Sequence, residues 1–175
     1  MNALIAELPN RRVCYWLGFL LCAGLVGYAL YLQYGKNEEP CPLCIFQRIA
    51  VMALGVVFLL AAVHNPLRRG AIVYGVILLL IAGVGAAIAG RHVYLQNLPK
   101  DLVPECGPGL NYMLDAFPLG EVIGKVLRGS GECAEAGKWR LFGLTIPAWT
   151  LVAFVGMGIG ALIQIWNRGR EHIVR

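Results

Sequence analysis

"AIVYGVILLLIAGVGAAIAG", residues 71–90, carries no charge, and its one polar atom beyond the backbone is the hydroxyl of Tyr74. Twenty helical residues rise about 30 Å, the thickness of a bilayer's hydrocarbon core. A helix on the surface of a soluble bundle would return polar residues to one face at every turn, and this stretch has no such face. The same reading applies to "VCYWLGFLLCAGLVGYALYL" from Val13 onward. Four stretches are predicted to span a membrane, at about 13–33, 44–63, 71–94 and 146–166. Hydrophobic residues make up 58% of the 175-residue chain and charged ones 14%, against about half and about a quarter in ordinary soluble domains. The 22 glycines suit membrane helices, where small residues let backbones approach. The expected fold is an all-α membrane protein, a bundle of four transmembrane helices forming one domain over residues 1–175 with no soluble domain. The first span is too long for the apolar core of a cleaved signal peptide and lacks a clear small-residue cleavage site, so it is expected to be retained. No internal repeat or low-complexity segment interrupts this pattern.

The arginines orient the spans. Arg11 and Arg12 precede the first span, Arg68 and Arg69 lie between the second and third, and Arg168, Arg170 and Arg175 follow the fourth. In a four-span chain these segments share one side. Positive charge in short flanks marks the cytoplasm, so both termini and the middle turn are expected there. The opposite side carries the segment 34–43 and a long loop, 96–145, of mixed sign. The net charge of +5 is thus a topology signal, and no Lys/Arg stripe suggests nucleic acid.

The six cysteines sort by depth. Cys14 and Cys22 lie inside the first span, eight residues apart. Their Cα atoms are then about 12 Å apart on a helix, too far to bridge, and both are read as packing residues. Cys41, Cys44, Cys106 and Cys133 all fall on the side away from the arginines. Disulfides persist there if that side is oxidising, and two structural staples would be the plainest use of four cysteines. A bond across C-x-x-C closes a very small loop and restrains little chain entropy. As a redox couple the spacing suits exchange chemistry. Zinc is the competing use, but Cys106 and Cys133 are separated by a long segment without a nearby ligand partner, and no metal is expected.

In "PCPLCIFQR", residues 40–48, Pro42 holds Cys41 extended and opens a helix. Cys44 then sits near the helix N-terminus, whose dipole favours a thiolate. Arg48 lies one turn further on the same face. An arginine at this depth needs a partner or a wet interface. It either snorkels to lipid phosphates or stabilises an anion beside Cys44, and the adjacent C-x-x-C favours the second role. Two thiols becoming a disulfide release two electrons. The chain has no C-x-x-C-H haem motif, no Rossmann fingerprint and too few cysteines for an iron–sulfur cluster beside a redox pair. At a membrane surface a lipid-soluble two-electron acceptor, a quinone, fits best.

Together, "CPLCIFQR", "LPKDLVPECG" and "GSGECAEAGKWRLFGLTIPAW" resemble the disulfide bond formation protein B (DsbB) family, in matching order over nearly the whole chain. The resemblance implies a four-helix bundle of the bacterial inner membrane with a long periplasmic loop. It implies reoxidation of the periplasmic thiol oxidase DsbA, with electrons passed to ubiquinone or menaquinone. Cys41 and Cys44 match the membrane-proximal redox pair, and Cys106 and Cys133 the loop pair. By that match a cysteine of DsbA attacks the Cys106–Cys133 disulfide and is held at Cys106. Freed Cys133 then attacks Cys41, and Cys44 engages the quinone with Arg48 as its positive neighbour.

Other residues carry smaller expectations. Leu119, Val122, Ile123, Val126 and Leu127 share one helical face, with Glu121, Lys125 and Arg128 elsewhere around it. This predicts a short loop helix lying in the membrane interface or packed on the protein's own spans. His92 near the outer end of the third span is a candidate quinone-site residue opposite Arg48, and Arg91 and Tyr94 are expected to anchor the interface. Gln47 stands where some relatives carry an acidic residue, which removes an acid–base role at that position. Two other classes compete: a thiol–quinone oxidoreductase of vitamin K epoxide reductase type, whose C-x-x-C is expected late in the chain, and a non-catalytic four-span protein with structural disulfides.

Overall fold

The computed structural model describes residues 11–36, 40–99, 117–128, 133–134, 140–141 and 143–170. Its elements are α1 (Arg11–Gly35), α2 (Pro42–His64), α3 (Arg68–Gln96), α4 (Leu119–Arg128), β1 (Arg140–Leu141), β2 (Leu144–Thr145) and α5 (Ile146–Arg170). Among the described residues, four helices are long and apolar enough to cross a membrane: α1, α2, α3 from Arg69 on, and the Ile146–Trp166 part of α5. The first three run one to three residues past each end of the expected stretches. Hydropathy falls before the helix does, because residues such as Arg11 and Arg12 are polar yet continue the hydrogen-bond ladder.

Local chemistry sets the ends. Cys41 caps α2: its backbone is extended (φ −65°, ψ 162°) and its sulfur accepts the Cys44 backbone N–H. Pro42 follows at the position where a missing N–H costs nothing. α2 ends at Asn65, whose left-handed backbone (φ 43°, ψ 58°) turns its N–H onto the Ala61 carbonyl, a conformation asparagine tolerates. Pro66 cannot extend the helix. At the start of α4 the Pro118 carbonyl accepts the N–H groups of Glu121 and Val122. β1 and β2 form a two-residue antiparallel ribbon, Arg140 opposite Thr145 and Leu141 opposite Leu144. Gly143, at φ +82°, makes a turn that a side chain would strain.

The most extensive helix packing is between α3 and α5, followed by α1 on α2 and α2 on α3. One apolar core fills the bundle, from Tyr15 and Cys22 through Leu54, Phe58 and Leu78 to Phe154 and Met157. The outward faces carry Leu20, Val56, Leu80, Val84 and Val152, each more than half exposed. Such a surface is stable against lipid and a liability in water. Small residues bring the helices together: a Cβ on Gly18 would lie 2.8 Å from the Phe58 ring, and one on Gly75 2.8 Å from Ile165.

One end of the bundle is basic. Arg11 donates to the Pro66 carbonyl at 3.3 Å and Arg12 to the Ala62 carbonyl at 3.2 Å, tying the start of α1 to the end of α2, where cations suit the helix dipole. Nearby, Gln164 of α5 donates to the Tyr15 hydroxyl and, at 3.5 Å, to the Ala71 carbonyl. Tyr15→Phe is expected to cost about 1 kcal/mol, the scale of one hydrogen bond. It would be read as a lower unfolding midpoint in mixed detergent micelles.

A second apolar cluster lies at the opposite end. It joins Cys41 and Leu43 of α2, Ile88 and Leu95 of α3, Val122 and Val126 of α4, and Cys133. Val122 and Val126 are buried there, so this stripe of α4 packs on the protein itself.

Candidate active site

The N-terminus of α2 presents two sulfurs side by side. The helical turn opened by Pro42 brings Cys41 Sγ and Cys44 Sγ to 3.0 Å, beyond the roughly 2.05 Å of a bond. The Cys44 backbone N–H also donates to Cys41 Sγ at 3.3 Å. Cys41 is buried and Cys44 partly so. The first sulfur is therefore screened by protein while the second keeps some access.

His92, from the last turns of α3, is fully buried against this pair. Its Nε2 lies 3.9 Å from Cys41 Sγ and its Nδ1 4.0 Å from Cys44 Sγ. The ring's hydrogen bonds follow from its partners. Nε2 lies 2.9 Å from the Cys133 carbonyl oxygen, which only accepts, so Nε2 carries the hydrogen. In the neutral ring Nδ1 is then the acceptor, and the Gln47 amide donates to it at 3.2 Å. Gln47 Oε1 in turn faces the Thr150 hydroxyl at 2.8 Å. That hydroxyl also lies 2.8 Å from the Pro147 carbonyl, and it donates to one acceptor at a time. The chain of contacts runs from α5 through α2 and α3 to the backbone of Cys133.

Gln47, 4% exposed, and His92 are buried and Thr150 is half-buried. A buried amide or imidazole left without partners costs about 1–3 kcal/mol, so the network holds three helices and a loop cysteine in one register. Cys133 is fully buried within the same apolar cluster as Cys41. Cys106 lies outside the described residues.

Arg48 is held by α1. Its guanidinium donates to Gln33 Oε1 and, at 3.2 Å, to the Ala29 carbonyl, both on α1. It thus has protein partners in place of lipid phosphate, and it pins α1 to α2 one turn below Cys44. Arg91 stacks over Tyr94 at 5.3 Å.

Sequence reasoning brought out Cys41, Cys44, Arg48, His92 and Cys133 but not the partners that position them. Gln33 and Thr150 were missed. The available signal was that a polar side chain inside an apolar span needs a polar partner. Among the described residues, Cys41, Cys44 and His92 each offer one donor atom within 4.8 Å of the others.

Residues 11–164 match the family described as Disulfide bond formation protein DsbB. Relatives named Disulfide bond formation protein B include that of Nitrosococcus oceani, 54% identical over 159 residues, covering 91% of this chain and 92% of the relative. That of Methylococcus capsulatus is 50% identical over 163 residues, covering 93% and 99%. That of Hahella chejuensis is 56% identical over 151 residues, covering 86% and 90%.

Proposed function

This chain belongs to the disulfide bond formation protein DsbB family, and from that premise we propose that it oxidises a DsbA-type periplasmic thiol oxidase and passes the electrons to membrane quinone. Disulfide formation is the chemistry of the family. The observation that supports the finer reading most strongly is the Cys41–Cys44 contact at one end of a lipid-facing bundle, with Cys133 in the same apolar cluster.

The relay proceeds by thiol–disulfide exchange. A thiolate of the reduced partner attacks the Cys106–Cys133 disulfide, forming a mixed disulfide at Cys106 and freeing Cys133. The partner's second thiolate then resolves that bond, leaving the partner oxidised. Cys133 attacks Cys41 of a Cys41–Cys44 disulfide and releases Cys44 as a thiolate, and Cys106 closes the loop disulfide again. The Cys41–Cys44 pair is now a dithiol. Its two electrons and two protons pass to the quinone, which accepts both as it becomes quinol. The sum is partner dithiol plus quinone giving partner disulfide plus quinol, so atoms and electrons balance.

Each described residue has a place in this scheme. The Cys133 carbonyl accepts from His92, which keeps the loop cysteine beside the pair it must attack. Attack on a disulfide needs access to one sulfur. Burial of Cys41 restricts that access to a nucleophile already inside the protein, which Cys133 is. Cys44, the more accessible sulfur, is left facing the acceptor. Arg48, Cys44 and His92 form the quinone-binding set in this reading, and Arg48 is held near the site by α1. The basic end of the bundle faces the cytoplasm with both termini, and the thiol end faces the periplasm of a bacterial inner membrane.

The test uses the full-length protein in detergent with a reduced DsbA-type partner and a water-soluble quinone analogue. One quinone is expected to be reduced for each partner disulfide formed. A partner that stays reduced while quinone and protein are both present overturns the reading.

A further inference from the structure

We propose that Cys41, Cys44 and His92 form a site for a thiophilic divalent cation, zinc or cadmium, that assembles only while the cysteine pair is reduced. The three donors lie within 4.8 Å of one another. A tetrahedral ion bound at about 2.3 Å to sulfur and about 2.0–2.1 Å to nitrogen separates its donors by roughly 3.5–3.8 Å. Here the sulfurs are 3.0 Å apart, Cys44 Sγ is 4.0 Å from Nδ1 and Cys41 Sγ 3.9 Å from Nε2, so binding through Nδ1 requires Cys41 to turn toward that nitrogen.

A second observation is independent of the spacing. Metal-binding histidines donate their other ring N–H to a carbonyl or carboxylate, which fixes the ring and leaves the ligating nitrogen free of hydrogen. His92 is held this way: Nε2–H donates to the Cys133 carbonyl at 2.9 Å, and Nδ1, which bears no hydrogen in that tautomer, lies 4.0 Å from Cys44 Sγ. The hydrogen bond displaced is the one Gln47 donates to Nδ1, and Gln47 keeps Thr150 as a partner.

Charge selects the ion. A dication with two thiolates is neutral overall, so a buried site at the end of a membrane bundle takes on no net charge. Hard cations need oxygen ligands, and this cluster has none. Binding releases two thiol protons to solvent and forms two metal–sulfur bonds, with no change in oxidation state. A Cys41–Cys44 disulfide offers no thiolate and holds no ion.

The regulatory consequence rests on the function proposed above. An ion on both sulfurs removes the pair from exchange, so metal arrests the enzyme in its reduced form and must leave before electrons do. Binding itself does not depend on that reading, and its test involves neither partner nor quinone.

Full-length protein in detergent is reduced with a phosphine, freed of reductant without air, and titrated with Cd2+. The readouts are the ultraviolet thiolate-to-cadmium charge-transfer band and the cadmium NMR shift. The wild type is expected to show a tight one-equivalent step with a shift typical of two sulfurs and a nitrogen. Cys44→Ser is expected to lose that step, His92→Ala to weaken it at least tenfold, and Cys14→Ser to leave it unchanged. Protein whose cysteine pair is reoxidised with a small soluble disulfide is expected to show no step. A shift typical of sulfur ligands alone, or equal affinity in His92→Ala, overturns the site. The wild-type shift decides this even where a variant does not fold. If one equivalent of Cd2+ binds the reduced protein while turnover with partner and quinone is unaffected, the inhibitory consequence is overturned. A preparation that binds Cd2+ as described but never turns over sinks the proposed function and leaves the site standing.

Discussion

Cys44→Ser is expected to remove the proposed turnover, with quinone reduction by reduced partner falling by roughly 10³-fold or more, the scale on which loss of a reacting group is felt. The serine keeps the helix: Cys41 still caps α2 and Pro42 still opens it. The loss is therefore one of chemistry, visible as unchanged secondary structure beside absent quinol. The variant is also expected to stop after one exchange. With Cys44 gone, the Cys41–Cys44 disulfide that Cys133 attacks cannot form, so the loop pair is reduced once by the partner and stays reduced, read as two thiols newly open to alkylation. Cys14→Ser is the control. Cys14 sits on the exposed face of α1, and a change there is expected to alter stability by no more than about 0.5 kcal/mol and to leave turnover intact. If Cys14→Ser abolished turnover and Cys44→Ser did not, the assignment of the two cysteine classes would be reversed.

Gly85→Val is expected to prevent normal assembly of the bundle. A Cβ on Gly85 would lie 2.3 Å from the Phe154 ring, with two more ring carbons at 2.6 Å. Phe154 is 1% exposed and has nowhere to retreat. The position lies between α3 and α5, the pair with the most extensive packing. Overpacking a filled interior costs about 1–3 kcal/mol even for modest additions. Alanine here would gain up to about 1 kcal/mol of helix propensity and lose more to the collision. Valine adds two methyls where the first carbon does not fit, and is expected to lower the yield of folded protein as well as the unfolding midpoint. Gly83, two residues away, meets nothing within 4 Å. Gly83→Ala is expected to be neutral or stabilising by up to about 1 kcal/mol. Equal effects at the two sites would show that packing against Phe154 is not what the glycine serves.

The helices were legible because lipid removes the need for a polar face, and a long apolar run then has few other solutions. Their ends were partly legible: Pro42 marked the start of α2, while the stop at Asn65 depends on a left-handed backbone that no hydropathy pattern reports. At the site, spacing predicted that Cys41 and Cys44 would meet, because one turn of helix brings them together. Spacing put Arg48 on a face but could not choose its partner. The long side chain reaches several neighbours, and the choice of Gln33 and Ala29 depends on how α1 packs. The contact of His92 with the Cys133 backbone joins residues 41 apart in sequence, and only the fold sets such a distance. The pattern of α4 showed which residues share a side; that Val122 and Val126 cover the thiol cluster follows from tertiary packing.

Gln47 has a consequence that an acidic residue in its place would not have. An amide has a donating end and an accepting end, and half a turn about its last torsion exchanges them. With the ring of His92 neutral, the NH2 end serves Nδ1. With both ring nitrogens carrying hydrogen, the oxygen end accepts from Nδ1, the NH2 end donates to Thr150, and the Thr150 hydroxyl turns to the Pro147 carbonyl. Every hydrogen bond is kept in either charge state, and the Nε2 bond that seats Cys133 is not disturbed. A lone carboxylate could serve only the cationic ring. The amide can therefore serve either charge state of the ring without moving the Cys133 backbone that the ring holds.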